Sequence, residues 1–449
     1  MRSRIAVAVC GALALSLAAA SLNAASEPPP PKQWLKKYGG EAADSFRSIA
    51  ATSDGGLVAS GYSYSARGDV EHTRGWLNAW IVKVDAAGAV EFKRSLGASI
   101  GGNATWAEQT SDGGYVAGGS AITGNGDFKM RSKGKDDAFV LRLDRSGRTV
   151  FLKTYGGKED DRLASVMEKP DGGFPLLGTT KSAAAGEGCG PGPGGSEMLW
   201  AAALDAGGRQ SGGACRAAGG AVRSLNASAD GLGGAALTLS LIGGEGGDAS
   251  FDGTAGPGAV FGELREIPAD GPRDVRGTAS LRGGGLAGAG SRPAPSLGGP
   301  DCRDPWLFGF GADLGLGWQA FLRTGRSGRL SAVARAKGRY FAAGPTAGPG
   351  AGEGPCGRGD AMAVMADSGG NVIWEIVLIG KDYDDASAVA VHADGSLAVA
   401  GTSVSRDGDF EHPEGPARFG GDDRLDGFIL KLAPASPAVQ GVGDARPER

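Results

Sequence analysis

Apolar and polar positions along the chain repeat in short blocks, and each block turns on an Asp-Gly step. The first reads Thr52-Ser53-Asp54-Gly55-Gly56 followed by Leu57-Val58-Ala59, and the second Thr110-Ser111-Asp112-Gly113-Gly114 followed by Tyr115-Val116-Ala117. Further copies stand at Asp171-Gly172-Gly173, Asp230-Gly231-Leu232 and Asp394-Gly395-Ser396. The aspartates are 58, 59 and 59 residues apart, and the last gap of 164 holds about three more steps. Asp-Gly between apolar runs predicts a tight hairpin, because glycine accepts the positive φ that such turns require. A second run follows each hairpin, apolar at successive positions: Ala79-Trp80-Ile81-Val82, Ala138-Phe139-Val140-Leu141, Trp200 to Leu204, Met362 to Ala366 and Phe428 to Leu432. A strand apolar on both faces is a strand buried on both faces.

Each unit thus predicts four short strands, placed in the first copy near 46–52 (A), 57–62 (B), 79–84 (C) and 90–95 (D). The fold class read from this is all-β, a seven-bladed β-propeller of four-stranded blades, with a β-helix or flat β array as the alternative. The two weak copies centre on Leu281 to Gly290 with Trp306 to Asp313, and on Gly338 to Gly344 with Met362 to Asp367. In the fourth copy strand C is expected around Val260 to Leu264. The last copy stops at strand C, while Trp34-Leu35-Lys36-Lys37-Tyr38-Gly39-Gly40 aligns with the strand-D sequence Phe151 to Gly157. Residues 33–38 are therefore expected to complete the last blade against 427–432 and close the ring, which removes exposed strand edges.

These residues resemble a family of secreted bacterial β-propellers with a Y-G-G…D-G-G-Y-V…D-A-W-I-V-K-L-D repeat. The likeness is carried by Tyr38-Gly39-Gly40, Asp44, Asp54-Gly55-Gly56, Gly61 and Ala79 to Asp85; copies four and five depart from it. The resemblance implies an extracytoplasmic propeller and no common activity.

The N-terminus fits that location. Arg2 and Arg4 precede an apolar run from Ile5 to Leu22, with small residues at Ala18 to Ala20 and at Ala24-Ala25, so 1–25 reads as a secretory signal. A Pro-rich linker follows at 26–32, the propeller is expected over 33–434, and 435–449 reads as a flexible tail. The mature protein is expected to be monomeric, secreted or periplasmic. A net charge of −4 and a pI near 5.6 give no basic footprint for nucleic acid. The 83 glycines and 23 prolines matter most between 183 and 300, where they dilute the strand pattern and disorder competes with it.

Enzyme signatures are weak. Gly97-Ala98-Ser99-Ile100-Gly101 spells a nucleophile elbow, but it joins strand to strand, and the elbow needs a helix after it. Gly352 to Gly357 spells a dinucleotide fingerprint without a following helix. The acids before strand A (Asp44, Asp160 with Asp161, Asp384 with Asp385) recur at equivalent places, as turn-capping groups do. Trp34, Trp80, Trp200, Trp306 and Trp374 read as packing between blades.

Variation lies in the long B–C loops, about 62–78 in the first copy and 402–425 in the last; the second carries Lys129, Arg131, Lys133 and Lys135, the last Asp422, Asp423 and Asp426. Variable loops on a rigid scaffold usually hold binding sites. The reading is a non-enzymatic scaffold for a protein or glycan ligand, with no catalytic residues. A lyase or hydrolase acting at the central channel, or a structural envelope protein, are the alternatives. Two smaller expectations follow. Cys189 with Cys215 and Cys302 with Cys356 are favoured as disulfides in an exported chain. No resident cofactor is expected, but Gly68-Asp69-Val70-Glu71-His72 and Gly408-Asp409-Phe410-Glu411-His412 fall on loops adjacent after closure. Asp69, Glu71, His72, Asp409, Glu411 and His412 are thus candidate ligands for a divalent ion, zinc before calcium if both histidines bind.

Overall fold

The computed structural model describes residues 27–71, 75–98, 101–122, 126–128, 135–182, 189, 192, 195–217, 221–229, 235–244, 247–255, 261–266, 274–280, 286–294, 302–310, 316–322, 327–347, 359–411 and 425–434. Among them the chain is all β apart from short 3-10 turns such as Gly126–Phe128 and Gly408–Phe410. The strands form seven four-stranded antiparallel sheets. In the first, Asp44–Ala51, Leu57–Ser63, Asn78–Val84 and Val90–Gly97 follow one another as A, B, C and D. Five others repeat that order. The seventh takes A, B and C from Asp384–Val391, Leu397–Ser403 and Asp426–Leu432, and its fourth strand is Lys32–Tyr38 from the other end of the chain. There Tyr38 lies opposite Gly427 and Lys32 opposite Leu432. No helix among the described residues is long and apolar enough to cross a membrane.

Local chemistry builds each hairpin. In the A–B turns, the carboxylates of Asp54, Asp112, Asp171 and Asp394 each accept the backbone N–H two residues on. In the C–D turns, Asp85, Asp144, Asp205 and Asp367 each accept two, at the second and fourth residues on. Strand C supplies the packing. Trp80, Trp200 and Trp306 on C strands are buried, as is Trp374 on strand D of the sixth sheet. The core lies between sheets: Phe46, Trp80 and Val82 of the first pack on Ala388, Ala400 and Ile429 of the seventh. Each A strand neighbours the A strand of the next sheet, and Asp384–Val391 neighbours Asp44–Ala51.

The fourth sheet corrects the sequence reading. Phe261–Glu266, expected as strand C, is its strand D; strand C is Gly247–Ala255. The reason is the B–C connection, which pairs Gly244 with Gly247 in a tight hairpin where the other copies have a long loop.

Candidate functional site

Strand A begins where strand B ends, as the Tyr64 N–H to Ala43 carbonyl bond of 2.9 Å shows, so the B–C loops and D–A links share one face. Three groups of sequence candidates lie there.

The Gly-Asp steps of the B–C loops are clips. Asp127 accepts the Gly97 N–H at 3.0 Å and Asp409 accepts that of Ile379 at 2.8 Å, while Asp69 reaches the Gly39 N–H at 3.4 Å. The N–H of Asp69 and of Asp409 returns a bond to the same residue's carbonyl, at 2.8 and 2.9 Å. Gly68, Gly126 and Gly408 take φ of 88°, 62° and 59°, and a side chain on any of them would strike the link's backbone oxygen. Each B–C loop is thereby fastened to the link leading into its own sheet, and Val70, Phe128 and Phe410 plug the space behind. Of the candidate ion ligands, Glu71 pairs with Arg94 at 2.6 Å, Asp409 pairs with Lys32, and Glu411 is exposed. The described residues bring no three His, Cys, Asp or Glu groups together as a metal site. His72 and His412 lie outside the described residues, as do Lys129, Arg131, Lys133, Asp422 and Asp423.

The recurrent acids divide. Asp44 accepts the Gly40 N–H at 2.7 Å and the Ser65 hydroxyl at 2.8 Å. Asp161 does the same with Gly157 at 2.7 Å and Ser182 at 2.8 Å, and Asp384 with Ser405 at 2.8 Å. Burial pushes the Asp44 and Asp384 carboxyls up to about 6 against the lowering effect of these bonds. Asp385 does not cap. It accepts the Tyr383 hydroxyl at 2.8 Å and pairs with Arg329 at 3.3 Å, and its pKa is raised by burial against the pull of Arg329, Arg47 and Arg276. Burial and the adjacent Asp385 charge raise Tyr383 as well.

This Tyr-Asp-Arg cluster went unseen in the sequence, and the backbone explains how it assembles. Six of the A strands carry a bulge, at residues 47, 105, 164, 223, 276 and 387. A bulge re-aims a side chain and marks many functional sites. Arg47 and Arg276 occupy two of these positions. Ser387, at a third, donates to the Phe46 carbonyl at 2.9 Å, which sets Asp385 and Arg47 on adjoining A strands. Arg47 is exposed, with its guanidinium 5.3 Å from the Tyr62 ring. Tyr62 meets Tyr64 edge to face at 5.9 Å, and Tyr64 is 46% exposed. In the same sheet's B–C loop Trp76 is 80% exposed; of the eight tryptophans it alone is exposed, the rest being buried or half-buried.

Cys189, in a B–C loop, is bonded to Cys215 on the neighbouring strand D, with Cα atoms 5.1 Å apart. Cys302 is buried and disulfide-bonded; Cys356 lies outside the described residues. Gly97 ends one strand and Gly101 begins the next, while Ser99 lies outside the described residues.

No family model matches the chain, and no curated protein does. Among solved structures it resembles the WD40 domain of Neurospora crassa Pan2, at 9% identity and a TM-score of 0.51, over 91% of this chain and 98% of that one. It also resembles the β-propeller domain of the Trilobed protease from Pyrococcus furiosus (7% identity, TM-score 0.43, 82% and 92% covered). A third is the GH74 xyloglucanase from Xanthomonas campestris (13%, 0.42, 88% and 56%). At these identities the likeness is one of fold. The chain has a β-propeller fold.

Proposed function

We propose that the protein is an exported, non-enzymatic binding scaffold: a seven-bladed propeller closed by its N-terminal strand, with a protein or glycan ligand held on the face that carries the B–C loops. The register of Lys32–Tyr38 against the last strand C, and the succession of inner strands from the first sheet round to the seventh, support the closed ring. Residues 1–25 as a secretory signal, 26–32 as a linker and 435–449 as a tail belong to the same proposal, as does the Cys302–Cys356 bond.

The observation that carries the binding role is that one B–C loop exposes Trp76 and Tyr64, with Tyr64 set against Tyr62 and Tyr62 against Arg47. Trp, Tyr and Arg are the residues that dominate binding energy where they can be desolvated, and aromatic rings also receive the apolar faces of sugars. The rival reading, a lyase or hydrolase at the channel, draws on the Tyr383–Asp385–Arg329 cluster. Affinity capture from the native extracytoplasmic fraction, together with a glycan array, tests the first reading. Trp76→Ala and Tyr64→Ala should each weaken capture at least about tenfold with an unchanged melt. Turnover of any substrate in a hydrolase and lyase panel that disappears with Asp385→Asn would overturn it in favour of the enzyme.

A further inference from the structure

Four consecutive prolines, Pro28 to Pro31, run along the side of the molecule that carries the C–D turns, opposite the B–C loops. Both ends of the run are fastened. The Glu27 N–H donates at 2.9 Å to the carbonyl of Ile373, which stands on strand D of the sixth sheet just after its C–D turn. The Pro31 carbonyl accepts the Ala433 N–H at 2.9 Å, just beyond the last strand C, and Lys32 opposite Leu432 begins the closing strand. Between these two points the backbone has little freedom. All four prolines are trans, each ring holds φ at about −65°, and each residue before a proline is driven to an extended ψ. Such a run is a polyproline II helix with three residues per turn. Exposure along the segment follows that period. Pro28 and Pro31, one turn apart, are exposed, as is Pro29, whereas Glu27 and Pro30, also one turn apart, are half-buried. One ridge of the helix thus rests on the protein and two face outward. Proline has no N–H, so the segment cannot extend a sheet, and the carbonyls of Pro28, Pro29 and Pro30 accept no hydrogen bond among the described residues.

We propose that Pro28 to Pro31 is a recognition segment, a preformed polyproline II ligand for the aromatic-lined groove of a partner protein. Grooves of that kind receive proline rings between Trp and Tyr side chains, whose N–H and O–H groups are donors for the bare carbonyls. The two outward ridges offer the rings, Pro28 with Pro31 on one and Pro29 on the other. Anchoring at Ile373 and Ala433 holds the helix in its bound form before any partner arrives, which lowers the ordering cost of association. This surface lies on the opposite side from the B–C loops, so the partner read here is independent of the ligand proposed for that face.

The test is calorimetry of the full mature chain with three proline-reading probes, an SH3, a WW and an EVH1 domain, each first checked against its own proline-rich peptide. At least one probe should bind. Pro28→Ala combined with Pro29→Ala, both at exposed positions, should weaken that binding at least about tenfold with an unchanged melt. Pro30→Ala, on the inward ridge, should weaken it by less than about threefold, and Trp76→Ala should leave it unchanged. No binding by any of the three probes overturns the inference, as does binding indifferent to the outward pair or equally sensitive to Pro30→Ala. A melt that falls with the outward pair, with no probe bound, makes the segment a brace between sheets six and seven and also overturns it. Loss of probe binding with Trp76→Ala would place the contact on the B–C loop face and refute the proline segment as its seat.

Discussion

Adjacent sheets are joined by a contact whose energy is open to direct measurement: strand D of one sheet lays a long or aromatic side chain on the C–D turn glycine of the next. Phe92 covers Gly147, Phe151 covers Gly208 and Trp318 covers Gly370. Gly147 has a φ of 77°, and a Cβ there would stand 2.6 Å from the Phe92 ring. Gly338 has nearly the same φ, 76°, with nothing within 4 Å of its Cβ position. Alanine costs about 1–2 kcal/mol at either site for the left-handed backbone alone. At Gly147 the ring must also move, which adds about 1–3 kcal/mol and disturbs the Arg94 Nε bond to the Gly147 carbonyl at 2.7 Å. Gly338→Ala should therefore lose about 1–2 kcal/mol and Gly147→Ala about 2–5 kcal/mol in urea unfolding followed by tryptophan fluorescence. In a Phe92→Ala background the excess should vanish, since the two residues form one coupled pair. Equal losses for the two alanines, or an excess that survives without the ring, would refute the idea that the aromatic lid on the turn glycine joins the sheets.

Deleting residues 26–40 should sharply lower the melting temperature, since Lys32–Tyr38 completes the seventh sheet and Tyr38 Oη bonds the Gly88 carbonyl of the first at 2.8 Å; an unchanged melt would deny the strand that role. Stability should be greater near pH 5 than at pH 7.5. Asp44 and Asp384 hold their protons up to about 6 when folded, against 3.8 unfolded, so their contribution is full below about 4 and is lost as pH rises through about 6, on the order of 3 kcal/mol each. Asp54 and Asp112, lowered to about 2, act oppositely and lose theirs only in stronger acid, so urea midpoints that rise steadily from pH 5 to 7.5 would contradict the assignment. Non-reduced peptide mapping should recover Cys302 linked to Cys356 beside the Cys189–Cys215 bond, and free thiols at 302 and 356 would refute that pairing. If the seam loops hold an ion, zinc calorimetry should show one equivalent, abolished by His72→Ala or by His412→Ala; no uptake would leave those loops as clips alone.

Some of the architecture is written in neighbouring residues. An Asp-Gly turn needs a carboxylate two residues from an N–H and a glycine able to take positive φ, and both conditions are met within five residues of sequence, as at Asp54 and Asp112. Strand C is equally legible, because a strand with sheets on both sides has to be apolar on both faces. The same locality misled where it broke: one tight hairpin at Gly244 and Gly247 moved the fourth strand C from where the spacing put it.

The Gly-Asp clips were half visible. Their repetition in the B–C loops suggested shared ligands; in each of the three a link backbone 30 residues earlier is a partner, and only the folded sheet brings Gly39 to Asp69 or Gly97 to Asp127. A fixed separation of that kind was the signal available in the chain. The cluster around Asp385 had none. Arg47, Arg276, Arg329 and Asp385 lie in four different repeats, and no spacing among them is regular. The sequence alone determined the repeat, its hairpins and its doubly buried strands, because those depend on contacts a few residues apart. The tertiary structure decided that Arg329 meets Asp385, because their distance depends on the order of the sheets and on backbone geometry that no local pattern encodes.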